Sequence, residues 1–393
     1  MKGLIKNLKL KRRGITVLAG MHFFGHPSAK MKIVGVTGTN GKTTTATLLY
    51  KVATELGYKT GLIGTVENII IDDKRPALIT TPSPINLYKL LNEMADKGCE
   101  YVFMEVSSHA LDQNRVAGIN FAGGIFTNLT HDHLDYHKNI DNYFGAKKKF
   151  FKMLPKKSFA LSNIDDEYGS RMLENIHAKK YTYGLKHRAD FFERPETGLI
   201  GEFNVYNALA VYASAILLGF DKEKVKEILK NITPPKGRFE HFKSSNGVLV
   251  IVDYAHTPDA LENVLKTIKN IRKGGSKIIS VFGCGGDRDP AKRKIMGKIG
   301  AMLSDVAIFT SDNPRGEDPE KIIQEMKTGL SNEELKKVKS IADRRKAILE
   351  SVKLAKSGDI ILCAGKGHED YQEIKGVKNH FDDMEEYKKA YDK

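Results

Sequence analysis

Cysteine is scarce in this chain: Cys99, Cys284 and Cys363 are the 3 cysteines in 393 residues, far apart, with no C-x-x-C pair and no histidine at zinc-finger spacing. That excludes a disulfide framework and points to a reducing compartment, by default the cytoplasm. Long apolar runs are lacking too. The longest near the N-terminus, Ile15 to Phe24, is interrupted by Gly20 and His22 and is too short to span a bilayer. No small-residue cleavage site follows it, which argues against a signal peptide. Also missing are a helix with bases on one face and a stripe of interleaved basic and aromatic residues, the pattern of single-strand binding. The net charge of +15, from 63 Lys and Arg against 48 Asp and Glu, is therefore read as a solvated surface or an attraction for small anionic substrates, not as a nucleic-acid footprint. Its clusters, Lys9–Arg13, Lys147–Lys149 and Lys336–Lys339, are scattered.

What is present is the composition of a soluble globular protein, 41% hydrophobic and 28% charged, in a chain long enough for two domains. One stretch states a chemistry: Lys32-Ile-Val-Gly-Val-Thr-Gly-Thr-Asn-Gly-Lys-Thr-Thr-Thr. Ile33, Val34 and Val36 predict a buried strand, Gly38, Thr39, Asn40 and Gly41 a tight turn, and Thr43 and Thr44 the start of a helix. Glycines let successive backbone N–H groups face one concavity, and a helix N-terminus adds partial positive charge, so a phosphate fits there. Lys42 would reach the β- and γ-phosphates and the Thr43 hydroxyl a Mg²⁺. The spelling departs from the common phosphate loop, whose first glycine would fall on Val36.

Beyond this unit, strands and helices alternate. Strands are expected at Lys59 to Val66, Tyr101 to Glu105 and Gly123 to Leu129, with helices at Asn86 to Asp96 and Phe203 to Leu218. After the turn at Pro234-Pro-Lys-Gly the alternation restarts, with strands ending at Asp253, Phe282, Thr310 and Ala364. The expected fold class is α/β: a phosphate-loop-type, mostly parallel central sheet domain and a C-terminal Rossmann-like α/β domain. The expected boundaries are a short leader 1–30, a central domain 31–233 and a C-terminal domain 234–393. Ligands of such sheets sit at the strands' carboxyl ends. Two clusters fall there: Met104-Glu-Val-Ser-Ser-His109 with Gln113 and Arg115, and Thr127-Asn-Leu-Thr-His-Asp-His-Leu-Asp-Tyr-His137 followed by Ala146-Lys147. Glu105 and His133 are candidate ligands of a second Mg²⁺. His109, His131 and His137 suit packing or ligation equally.

Together, Gly38-Thr-Asn-Gly-Lys-Thr, Met104-Glu-Val-Ser-Ser-His, Asp132-His-Leu-Asp-Tyr-His, Asn204-Val-Tyr-Asn207 and Asp253-Tyr-Ala-His-Thr-Pro258 resemble the ATP-dependent Mur ligases of cell-wall synthesis, from about Lys32 to the C-terminus. The resemblance implies that ATP phosphorylates a terminal carboxylate of a muramoyl-peptide. An amine then attacks the acyl phosphate, and a tetrahedral intermediate loses phosphate. It implies Lys42, Glu105, His133 and Lys147 as catalytic residues, with Thr43, Glu105, His133 and Lys147 around two Mg²⁺ ions. Lys147, in Tyr143-Phe-Gly-Ala-Lys, matches a lysine carried as its carbamate. Thr80, Thr81, Ser107, Gln113 and Arg115 map to the muramoyl-peptide, and Asn207, Arg238 and Asp253 to adenosine. Asp312, Asn313, Pro314 and Arg315 look like the family's signature for meso-diaminopimelate, together with Arg288, Gly365 and Glu369. A second carboxylate and ammonium on that substrate call for a guanidinium fork and an acid. The partners implied are small molecules, with no nucleic acid and no membrane span, and the oligomeric state is open.

Two departures from the family are visible. Only about thirty residues precede the first strand, too few for the domain of on the order of a hundred that holds uridine diphosphate in the family. The stretch from Tyr183 to Gly201 is also short. On this sequence most substrate affinity is expected from the muramoyl-peptide end, with Lys6, Lys9, Lys11, Arg12 and Arg13 adding a salt-screened attraction for pyrophosphate. Alternatives are a Mur-like ligase with lysine, a pseudomurein-type peptide or a folate tail; Asp312-Asn-Pro-Arg speaks against the folate version. Further alternatives are a nucleic-acid-stimulated NTPase and a non-catalytic subunit.

Overall fold

A computed structural model of the chain describes residues 23–130 and 132–392. Most of the leader, including the cluster Lys9–Arg13, lies outside the described residues, as do His131 and Lys393. The chain divides into two compact units at Thr233/Pro234.

The first unit is built on β1 (Lys32–Thr37), β2 (Thr60–Ile63), β3 (Glu67–Ile70), β4 (Asp73–Pro76), β5 (Tyr101–Glu105), β6 (Phe121–Phe126), β7 (Phe159–Asn163) and β8 (Lys179–Tyr183). They form one sheet in the order β4-β3-β2-β5-β1-β6-β7-β8. β1 runs parallel to both its neighbours, with Val36 opposite Glu105 on one side and Thr37 opposite Phe126 on the other. The carboxyl ends of β5, β1 and β6 therefore open at one place. Side chains alternate across the pleat. Ile33, Val102 and Met104 enter one core, while Val34, Val36, Tyr101 and Phe103 enter the core on the opposite face. The helices Lys42–Glu55 and Glu202–Leu218 pack together over the second face, contributing Leu48, Leu49, Val52, Leu209 and Ala213. Full burial of each of these leucines and of Val52 contributes about 1.5–3 kcal/mol.

Three differences from the sequence expectation stand out. The strand expected over Lys59 to Val66 ends at Ile63, and the chain doubles back as the antiparallel pair β3 and β4. β4 is an edge strand of Asp73-Lys-Arg-Pro76, with Arg75 forked onto Asp73 at 2.6 Å and Glu93 at 2.5 Å. The basic run at Lys147 lies on a helix, Ile140–Met153, whose N-cap Asn139 accepts from the Asn142 N–H. Finally, β7 and β8 extend the sheet beyond β6.

The second unit repeats the principle. β9 (Glu240–Lys243), β10 (Leu249–Asp253), β11 (Ile278–Phe282), β12 (Val306–Phe309), β13 (Val338–Ser340) and β14 (Ile360–Ala364) order as β13-β12-β11-β14-β10-β9. All pairs are parallel except the edge strand β9. A separate hairpin, β15 (Tyr371–Ile374) and β16 (Val377–His380), follows β14. Asp253, Gly283, Asp312 and Gly365 all stand just at or beyond strand carboxyl ends.

Phe150 tests the first core. Its ring fills the space that a Cβ would claim at Gly35, 2.5 Å from Cζ, and at Gly124, 2.9 Å from Cε1. Phe150→Ala should cost about 3–5 kcal/mol, read as a lower urea midpoint; an unchanged midpoint would show that this socket is not closely packed.

Candidate active site

β1 delivers the chain into the loop Gly38–Gly41 and then into the helix Lys42–Glu55. Gly41, the N-cap, has φ 84°, and a Cβ there would meet Asn207 Oδ1 at 2.5 Å. At Gly38 a Cβ would meet Thr127 Oγ1 at 1.8 Å. The loop is thus held too closely by β6's end and by the helix Glu202–Leu218 to admit any side chain at these two positions. Polar contacts finish the frame. Thr39 N–H donates to Asn128 O at 2.8 Å and Asn40 N–H to Asn128 Oδ1 at 2.8 Å, while Thr127 Oγ1 donates to Asn40 O at 2.6 Å. Thr39 Oγ1 lies 3.1 Å from Tyr143 OH. Thr44 is buried in the first helical turn.

Glu105, at the end of β5, is buried, yet its carboxylate is well supplied. It accepts from Thr43 Oγ1 at 2.9 Å, from the Thr65 N–H at 2.7 Å and from Thr65 Oγ1 at 3.0 Å. Thr65 was not singled out by the sequence; it lies beyond β2, in a stretch whose turn chemistry is unremarkable. Two lysines converge on one acceptor in this frame. Lys42 Nζ donates to Gly38 O at 2.9 Å and Lys147 Nζ donates to the same oxygen at 2.7 Å. Lys147 is 1% exposed, and its pKa lies well below the ordinary lysine value, first through desolvation and then through the charge of Lys42, with Asp132 pulling the other way. A neutral amine is the form this environment favours.

His133 has φ 54° and a half-exposed ring, 4.9 Å from His109 and 6.1 Å from Tyr143 between centroids. Its pKa is lowered to about 4, chiefly by desolvation and further by its basic neighbours His109, Lys42 and Lys147, against the pull of Asp132. It is a neutral imidazole, the form that ligates a metal. His137 is buried on Ser108 Oγ at 3.0 Å and packs on Tyr143, a packing role; His109 packs against Tyr136 with ring centroids 4.3 Å apart.

Among the described residues no three His, Cys, Asp or Glu side chains converge as a ready metal cage. The donor set nevertheless fits Mg²⁺. That ion is usually held by one or two carboxylates plus substrate phosphates and water, and the Thr43 hydroxyl beside the Glu105 carboxylate at the mouth of a phosphate loop supplies the protein's share.

Five further residues form one chain of contacts at the end of β5. Thr65 Oγ1, whose proton goes to Glu105, lies 3.1 Å from Thr80 Oγ1. Thr81 Oγ1 donates to Glu105 O at 2.8 Å and accepts from the Ser107 N–H at 3.1 Å. Arg115 donates to Thr81 O at 2.8 Å and forks onto Gln113 Oε1 at 3.0 and 2.7 Å. Asn207 bonds Asn204 and lies against Gly41 and Thr45.

In the second unit, Asp253 is buried at the end of β10 and accepts from the Phe239 and Ala255 N–H groups at 2.7 and 2.8 Å. Arg238 lies over the Tyr254 ring at 4.6 Å. Asp312, Asn313, Pro314 and Arg315 leave β12 together. Asn313 Nδ2 donates to Glu369 Oε2 at 2.8 Å, and a Cβ on Gly365 would meet Asp312 Oδ2 at 2.4 Å. Arg315 holds φ 51°, a conformation that costs a non-glycine residue energy and often marks a functional position. It donates to Gly286 O at 2.9 Å with Glu373 Oε2 3.4 Å from its Nε. The sequence had passed over Glu373, which the β15–β16 hairpin carries here. Arg288 is exposed, and among the described residues no hydrogen bond or ion pair ties it to this set; its Cγ lies 3.7 Å from where a Cβ on Gly285 would stand.

Residues 36–215 match the model of the Mur ligase middle domain and residues 237–367 that of the Mur ligase glutamate ligase domain. The chain is 53% identical over 390 residues to a Bacteroides fragilis protein named UDP-N-acetylmuramoyl-L-alanyl-D-glutamate–2,6-diaminopimelate ligase, covering 95% of this chain and 80% of that one. A Cytophaga hutchinsonii protein of the same name is 56% identical, with coverage of 92% and 78%. A solved structure of an enzyme of that name superposes with a TM-score of 0.66 at 35% identity, covering 92% of this chain and 78% of that one.

Gly38→Ala should abolish nucleotide binding, because the added Cβ displaces Thr127 and with it the loop. Titration calorimetry with ADP and Mg²⁺ checks this, and near-native affinity in the variant would show that the loop does not hold phosphate.

Proposed function

The chain belongs to the Mur ligase family, and on that premise we propose that it is an ATP- and Mg²⁺-dependent amide ligase of peptidoglycan precursor synthesis. It adds meso-diaminopimelate to a UDP-N-acetylmuramoyl-L-alanyl-D-glutamate type acceptor through an acyl phosphate. The observation that carries this is the meeting of Lys42, Thr43, Glu105 and Lys147 around the loop Gly38–Gly41. The names of relatives at more than half identity over nearly the whole chain support the choice of substrate.

The reaction crowds anionic oxygens, so positioning and charge neutralisation are what the protein has to provide. Loop N–H groups and the helix N-terminus hold the phosphates, and Lys42 swings from the carbonyls of Gly38 and Thr39 onto them. Thr43 and Glu105 would hold one Mg²⁺, and Glu105 with His133 a second. The ions, when bound, neutralise the phosphate oxygens and polarise the transferring phosphoryl group. Lys147 is a buried amine biased to its neutral form. Attack of its nitrogen lone pair on CO₂ would form an N–C bond and release one proton to solvent, giving a carbamate whose oxygens could serve the second ion. This turns a metal-repelling ammonium into a ligand. Thr80, Thr81, Ser107, Gln113 and Arg115 bind the muramoyl-peptide acceptor, Arg115 by its guanidinium. In the second unit, Arg315 and Asn313 receive the distal carboxylate of diaminopimelate, and Asp312 and Glu369 its ammonium.

The proposed compartment is the cytoplasm. The three cysteines are buried free thiols, as a reducing compartment keeps them. Among the described residues no helix is long and apolar enough to cross a membrane.

The direct test is ADP release with a panel of amino acids and with UDP-linked and UDP-free muramoyl-dipeptides. Turnover that requires both meso-diaminopimelate and the dipeptide is expected; turnover stimulated by nucleic acid and indifferent to amino acids would overturn the proposal. Lys147→Ala should lose most activity and recover part of it with added acetate or formate, which occupy the vacated ligand position. Normal activity without rescue would remove the carbamate from the mechanism. Arg315→Ala should raise the KM for meso-diaminopimelate about ten- to a hundredfold, the equivalent of losing one charge-assisted contact of roughly 1.5–3 kcal/mol. The KM for ATP should stay put. An equal effect on lysine, which has no distal carboxylate, would mark Arg315 as structural.

A further inference from the structure

β12 and β14 lie on either side of β11, and the loops that leave them, Asp312–Arg315 and Gly365–Glu369, carry most of the residues assigned to the incoming diamino acid. One buried guanidinium joins them. Arg344, the first residue of the helix Arg344–Leu354, donates through Nη1 to Ser311 O at 3.3 Å and through Nη2 to Ala364 O at 3.2 Å. These carbonyls immediately precede Asp312 and Gly365. The remaining face of the fork is taken by Asp383, with Nε to Oδ1 at 2.8 Å and Nη2 to Oδ2 at 2.7 Å. Asp383 starts the helix Asp383–Tyr391, and both side chains are 0% exposed.

Burial of such a pair is a weak source of stability. Desolvating two charges offsets most of their attraction, and apolar residues of similar volume often do as well or better. What apolar residues cannot do is hold two carbonyl oxygens at a set spacing, and here spacing matters because the loops nearly collide. The room at Gly365, where a Cβ would come within 2.4 Å of Asp312 Oδ2, vanishes with a small shift of either strand end. We propose that Arg344, locked by Asp383, is a positioning residue that fixes the distance between the two loops of the amine-selecting site and so sets affinity for the diamino acid without touching it. This rests on the assignment of those loops to the diamino acid.

The test compares R344M/D383L, which replaces the pair by apolar side chains, with R344K, which keeps a cation for Asp383 but loses the fork. The double variant should melt within about 4 °C of the parent. Its KM for meso-diaminopimelate should rise at least about tenfold, while kcat at saturating diaminopimelate and the KM for ATP stay within about twofold. R344K should show a smaller rise in the same constant alone. A folded double variant with an unchanged KM for the diamino acid overturns the inference. So does a uniform loss in kcat and both KM values, and so does failure of both variants to fold, which would assign the pair to the core. R315A, measured alongside, tests the pocket itself. If R315A leaves the KM for diaminopimelate unchanged, the pocket assignment fails; if R315A raises it and the Arg344 variants do not, only the positioning role fails.

Discussion

The buried carboxylate of Glu105 is the contact on which the first unit's chemistry depends. A carboxylate removed from water is costly unless its oxygens are supplied with donors, and three donors from two separate segments meet it: Thr43 on the phosphate helix, and the N–H and hydroxyl of Thr65 beyond β2. Charge-assisted hydrogen bonds of this kind contribute about 1.5–3 kcal/mol each. They join the first turn of one helix, the end of β5 and the connection after β2. Thr80 is joined through Thr65, and Thr81 through the Glu105 carbonyl, so the residues proposed for the acceptor share one hydrogen-bonded frame with those proposed for the metal.

The two units solve the same problem with opposite charges. Each gathers its functional side chains at the carboxyl ends of adjacent parallel strands, where the backbone diverges and loops must be held apart or together. In the first unit an acid collects hydroxyl and N–H donors. In the second a guanidinium collects carbonyls, those of Ser311 and Ala364, with Asp383 to neutralise it. The difference follows from what each site is assigned to hold: phosphates and cations in one case, a doubly charged amino acid in the other.

The phosphate loop was legible because its chemistry is local: two glycines, a lysine and a threonine in one turn carry their own meaning. The parallel alternation and both strand-end clusters were legible for a similar reason, since hydrophobic runs and turn residues announce strands and their ends. What could not be read came from distant partners. Nothing near Thr65 announces that it will bind Glu105, and nothing near Arg344 announces that it will be fully buried. Lys147 and Lys148 sit in a basic run that reads as a solvated face, yet both are buried; Lys148 spends its donors on the carbonyls of Arg171, Met172 and Glu174. Charged residues are so seldom buried that the helix Ile140–Met153, which carries them, was hidden by its own composition. The β15–β16 hairpin was missed because its strands are short and mostly exposed.

The sheet's β4 margin has a further consequence, for the crowded cell. An unpaired edge invites a second chain to add a strand. Here Pro76 removes one donor from that row, and Lys74 and Arg75 place charge along it, with Arg75 engaged by Asp73 and Glu93 and Lys97 reaching Asp73 at 3.4 Å. Four residues so defended offer a poor template, and the antiparallel turn-back of β3 and β4 shields β2, whose Leu62 and Ile63 would otherwise form an apolar rim. The extra strands that the sequence did not reveal thus serve as a hem, keeping a mostly parallel sheet from growing into its neighbours.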